Sequence, residues 1–97
     1  MENLDILKLQ LHAQRARRNV LTMIEAGKSG HMGGALSCID IVVALYFHVM
    51  KTFPNDPKHP LRDRFMLSAG HKAMAQYAVL AEKGFFDKTV LSTYGSL

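Results

Sequence analysis

Tryptophan is missing altogether, and cysteine occurs once, at Cys38. The missing tryptophan excludes little. A single cysteine excludes any disulfide framework within the chain and suits a reducing compartment. No long hydrophobic run is present: the longest extends from Cys38 to Met50 and is broken by Asp40 and His48, which suits a buried helix and is too short to span a bilayer. The opening residues, MENLDILKLQ, carry Glu2 and Asp5 and lack the basic apolar pattern of a leader. No export signal and a cytoplasmic setting are therefore expected. Internal repeats and low-complexity tracts are absent as well.

What is present is globular in character. The chain has 97 residues, 48% hydrophobic and 21% charged, with no sign of disorder. That length suits one small domain with a modest core and falls short of a large two-layered cofactor domain. The formal charge is +4 and the sequence pI about 9.5. A basic excess suits anionic ligands such as phosphates and would also fit nucleic acid, but charge alone names no partner. Arg15, Arg17 and Arg18 form a local cluster, read as a solvated helix face, so neither nucleic acid nor membrane is expected as a partner.

From Asn3 to about Ala26 the spacing predicts one amphipathic helix, with Leu9, Ala13, Ala16, Val20 and Met23/Ile24 on its inner stripe. Gly27 is a plausible stop. The segment Lys28 to Gly34 reads as a loop, because Gly30, Gly33 and Gly34 crowd around His31. A second helix is expected from Ser37, with Asp40 completing a capping-box spacing, to about Met50. It is apolar nearly all round and needs cover on most sides. Pro54, Pro57 and Pro60 mark a surface connection. Arg64 to Ser68 reads as a short strand, Gly70 breaks it, and His71 opens a third helix to about Lys83, stopped by Gly84. A last helical stretch is expected from Asp87, as cap, to Tyr94. One strand cannot make a sheet, so the pattern points to part of a larger α/β domain.

Two motifs carry chemistry. One is the loop Ser29 to Gly34 around His31. The other is Ser68-Ala69-Gly70-His71, where a strand gives way to a helix. Ligands of open α/β sheets gather at such junctions, and a helix start offers free N–H groups and a positive dipole end to an anion. By spacing alone both histidines also fit structural or merely exposed roles. His12 and His59 are expected to be exposed and His48 to be a satisfied core residue. None of them has metal-ligand spacing. Cys38 reads as a small buried residue, and Met23, Met50, Met66, Phe47, Phe65 and Tyr77 as core.

The combination is more specific. Ser29-Gly30-His31-x-Gly33-Gly34-x-Leu36-Ser37-x-x-Asp40-Ile41, then Ala44-Leu45-Tyr46, Asp63-Arg64-Phe65-x-Leu67-Ser68-x-Gly70-His71 and Tyr77-x-x-Leu80-Ala81-x-x-Gly84 resemble the amino-terminal region of transketolases. The likeness runs from about Arg17 to the end and is closest to two-subunit transketolases. The fold it implies is α/β: residues 1–97 would be an incomplete, helix-rich amino-terminal part of a three-layer α/β/α domain that binds thiamin diphosphate. The activity implied is transfer of a two-carbon ketol unit from a ketose phosphate to an aldose phosphate, as in the pentose phosphate pathway. The resemblance gives His31 a catalytic and substrate-binding place near the thiazolium, and puts His71, with Gly70 and Ser68, at the cofactor diphosphate.

It also implies Mg²⁺ or Ca²⁺, held by a Gly-Asp-Gly motif and a downstream asparagine that do not occur in this chain. Sugar phosphates, a carboxy-terminal transketolase portion or subunit, and an oligomeric complete enzyme follow as partners, with this chain inactive alone. Met32 stands where proline is frequent in the family, and Ala69 where lysine is common, with Lys72 just beyond His71. Two alternatives are another thiamin diphosphate enzyme, such as deoxyxylulose-phosphate synthase or dihydroxyacetone synthase, and a non-catalytic interaction fragment.

Overall fold

A computed structural model describes residues 3–27, 32–67 and 73–93. Helix α1 spans Asn3–Gly27, within a residue of its expected extent. Its inner stripe is Ala13, Ala16, Asn19, Val20 and Met23, all buried, with Leu9 and Ile24 packed beside them. Small residues at Ala13 and Ala16 let the neighbouring helices come close. Gln14, Arg15, Arg18 and Glu25 face outward.

Helix α2 spans Met32–Ala44 and starts well before Ser37. The capping box is therefore corrected: Ser37 lies inside the helix, and Asp40 instead accepts a hydrogen bond from the Arg17 guanidinium of α1 at 2.8 Å. Gly33 and Gly34 belong to the first turn and not to the loop. The helix widens into a π turn, Leu45–Val49, where Met50 N–H bonds back to the Leu45 carbonyl at 2.7 Å. Met50 is extended, with φ −81° and ψ 144°, and ends the helix. One side alone is covered: Ile39, Val42, Val43 and Tyr46 are buried, while Ile41 is 64% and Val49 65% exposed. His48 is exposed too, not a core residue.

The proline-rich connection folds on itself. The Asp63 carboxylate accepts from Lys51 N–H at 2.7 Å, and Asp63 N–H returns a bond to the Lys51 carbonyl at 2.8 Å. His59 is half-buried, stacked on Phe53 with centroids 3.9 Å apart. Residues 64–67 form no strand, and no strand occurs among the described residues. A strand is held by its neighbours' hydrogen bonds, and the described residues offer none. Met66 is accordingly 88% exposed and not core.

Helix α3, Ala73–Lys83, buries Met74, Ala75, Ala78, Val79 and Ala81, while Tyr77 is 45% exposed. Gly84, at φ +95°, stops it in a conformation that L side chains rarely adopt. A 3₁₀ helix, Lys88–Thr93, follows, with Asp87 accepting Thr89 N–H at 2.9 Å as expected of a cap. Cys38 is half-buried.

The helix directions follow from pairs of contacts. Along α1, His12 meets Phe47 and Arg17 meets Asp40, so α2 runs opposite to α1. Likewise His12 meets Glu82 and Asn19 meets Ala78, so α3 also runs opposite to α1. Helices α2 and α3 therefore point the same way. Both begin at the end of the bundle where α1 finishes.

Candidate site at the shared helix starts

His31, Ser68, Gly70 and His71 lie outside the described residues, as do Ser29, Gly30, Ala69 and Lys72. The structure does describe what flanks them. His31 immediately precedes Met32, the first residue of α2, and His71 stands two places before Ala73, the first residue of α3. Two chain segments far apart in sequence thus enter helices at one end of the bundle. The first turns of α2 and α3 leave N–H groups without intrahelical partners, and their dipoles add positive potential there. Such an end suits an anion. Among the described residues no three His, Cys, Asp or Glu side chains converge to hold a metal ion.

Aromatic rings gather around Phe65. A hollow of about 280 Å³ is walled by Tyr46, Phe53, Phe65, Leu80 and Phe85, with Arg62 at its edge. Tyr46 meets Phe65 edge-on at 6.0 Å and Phe85 at 6.3 Å, and its hydroxyl accepts from Gln76 Nε2 of α3 at 3.2 Å. The contact with Tyr46 seats Phe65 against the π turn, and the Tyr46 hydroxyl ties that turn to α3.

One cluster escaped sequence reasoning. The Glu82 side chain is only 3% exposed, and an imidazole and two cations converge on it. His12 Nδ1 lies 2.9 Å from Oε2, Arg15 Nη1 lies 3.8 Å from the same oxygen, and Lys88 Nζ lies 2.7 Å from Oε1. The Lys88 contact is an ion pair whose geometry falls short of a directed hydrogen bond. Burial pushes the Glu82 carboxyl up, but its contacts with Lys88 and His12 outweigh that and hold it below its ordinary value. His12 is thus a paired, half-buried residue, not an exposed one. A signal existed: on a helical projection His12 borders the inner stripe of α1, although nothing marked Glu82 as its partner.

Comparison with known proteins matches residues 9–93 to the transketolase thiamine diphosphate binding domain. The chain belongs to that family. It is 40% identical over 90% of its length to an apulose-4-phosphate transketolase subunit of Phocaeicola vulgatus. It is 46% identical over 90% of its length to a 6-deoxy-6-sulfo-D-fructose transketolase subunit of a Clostridium species. Human transketolase is 40% identical over 81% of the chain. The chain spans 31% of the length of the first of these relatives, 32% of the second and 13% of the human enzyme.

Proposed function

We propose that this chain contributes the opening part of the thiamin diphosphate site of a transketolase. Together with further polypeptide, either its own continuation or a separate carboxy-terminal chain, it would transfer a two-carbon ketol unit from a ketose to an aldose phosphate. The observation that carries this reading is the common direction of α2 and α3, which brings the starts of both helices behind His31 and His71 to one end of the bundle.

The assignment of roles follows chemistry. His71, ahead of α3 with Gly70 and Ser68, would donate to a diphosphate oxygen where the helix dipole already favours negative charge. His31, next to glycine, would lie at the reacting end and hold or move a proton at a substrate hydroxyl. When bound, the cofactor supplies the nucleophilic carbon that allows the ketose C2–C3 bond to break, and the protein orients and polarises. A divalent ion, Mg²⁺ or Ca²⁺, would offset the diphosphate charge, with its ligands outside this chain.

The three-layer α/β/α domain needs a sheet. Exposed Ile41, Val49 and Met66 supply apolar surface for polypeptide that completes it. The relatives named for apulose 4-phosphate and a sulfo-fructose handle sugars with an anionic end, and the basic balance of this chain suits the same class.

The test uses the complete enzyme with its partner polypeptide. Thiamin diphosphate titrated in the presence of Mg²⁺ should bind about tenfold or more weakly to His71→Ala, the loss expected of one hydrogen bond to a charged group. His31→Ala should bind it normally and lose about 10²-fold or more in kcat. Small, equal effects of both variants on both constants would reject the assignment. A panel of ketose and aldose phosphates, with pyruvate as the alternative donor, separates a transketolase from other thiamin diphosphate enzymes.

A further inference from the structure

Helix α3 and the 3₁₀ helix are joined by Gly84 to Asp87, a tight turn with Gly84 at φ +95°. Beyond it, many hydrogen bonds of Lys88–Thr93 are internal: Val90 N–H to the Asp87 carbonyl at 3.0 Å, Ser92 Oγ to the Thr89 carbonyl at 2.8 Å, and Thr93 Oγ1 to the Val90 carbonyl at 2.6 Å. Leu91, 4% exposed, and Lys88, paired with Glu82, fasten the segment to the helices. The segment lies as a strap over the carboxy-terminal half of α1, where Ser92 borders a hollow with Arg18, Leu21, Thr22 and Ile24. That half of α1 ends at Gly27, just before the segment that carries His31.

We propose that the Lys88–Glu82 contact is a proton-sensitive latch that holds the amino-terminal end of the strap Lys88–Thr93 down on the helices, and that its release loosens the strap about its Leu91 anchor without unfolding the helices.

Three features set this contact apart from an ordinary surface pair, which contributes little. The carboxylate is almost fully buried, so solvent screens the pair less than it would two exposed groups, although Lys88 is half exposed. The groups facing it are basic: His12 and Arg15 from α1, and Lys88 from the strap. Farther out, Lys83 of its own helix sits over Phe47, 4.6 Å from the ring centroid, while Asp5, Lys8 and His48 border the hollow beside His12. Finally, the cation belongs to the strap and the anion to the body. Neutralising Glu82 leaves His12 and Arg15 on α1 with α3 still packed, whereas Lys88 loses its counter-charge and the strap keeps Leu91 as its anchor. Because the partners hold the carboxyl below its ordinary value, the latch is closed at neutral pH and opens as pH falls through the lowered value.

The experiment is amide hydrogen exchange on the complete protein at neutral pH, in wild type, Lys88→Met and Glu82→Gln. Lys88 is half exposed, so Lys88→Met keeps the fold. In both variants the amides of 88–93 should exchange about tenfold faster, while in Lys88→Met those of Ala13 to Met23 keep their rates. In wild type the Leu91 methyl resonances should move in one step on acidification, and that step should vanish in Glu82→Gln. Unchanged exchange of 88–93 in Lys88→Met overturns the latch. Equal acceleration of strap and α1 in Lys88→Met also overturns it, and makes the contact a pin of the whole bundle.

Discussion

The imidazole of His12 lies flat against the ring of Phe47, with centroids 4.0 Å apart and planes within 21°. The same imidazole reaches Glu82 through Nδ1 at 2.9 Å, so one side chain of α1 touches both the π turn and α3. Removing it should cost about 1–3 kcal/mol, the combined loss of one charge-assisted hydrogen bond and an aromatic contact. Urea unfolding of His12→Ala checks this. Phe47→Leu should cost less, because the bond to Glu82 survives.

Glu82 also predicts how stability depends on pH. Its carboxyl is held below its ordinary value of 4.5, so the folded state binds that proton less readily than the unfolded chain does. The contribution is fully present above the ordinary value and is lost as pH falls through the lowered one. Thermal melts between about pH 6 and pH 2.5 should show a falling limb in wild type that is shallower in Glu82→Gln.

Asn19 is a buried polar residue of the core, 5% exposed, and its Nδ2 donates to the Ala78 carbonyl at 2.9 Å. That carbonyl lies inside α3. Asn19→Leu should destabilise by about 1–3 kcal/mol through the lost bond and the bulkier apolar group. Asn19→Asp should be worse, since a carboxylate cannot donate and would face a carbonyl oxygen. Denaturant midpoints of the two variants give the order.

A Cβ added at Gly84 would meet no atom within 4 Å, so space does not limit substitution there, but its φ of +95° does. Gly84→Ala should lower stability by about 1–2 kcal/mol through backbone strain alone. Gly84→Asn should recover part of it, because asparagine enters the left-handed region more easily. A difference scan of melting temperatures for the two variants suffices.

The helices were legible from periodicity because their cores are local patterns: Ala13, Ala16, Val20 and Met23 announce the inner face of α1 before any partner is known. Gly84 and Asp87 were legible as stop and cap for the same local reason. The start of α2 was not. Ser37 and Asp40 have the spacing of a cap, yet Asp40 is taken by Arg17 of another helix, a long-range pairing that spacing cannot reveal. Residues 64–67 carry strand-like side chains, but strand structure depends on a neighbour's backbone, and none is found among the described residues. The Glu82 cluster joins residues 12, 15, 82 and 88, a convergence that exists only once the helices pack. Of the site, the motifs were readable as family signatures, and the common direction of α2 and α3 emerged only from the fold.

The bond between His12 and Glu82 closes a span of 70 residues, and α1 packs against α2, α3 and the 3₁₀ helix. Helix α1 therefore completes its packing only after α3 and the 3₁₀ helix have been synthesised. At roughly 5–20 residues per second, the apolar stripe of α1 waits on the order of 4–14 s for α3 to emerge. During that interval α2 is the neighbour available to cover the stripe, and the Asn19 amide waits for its Ala78 acceptor.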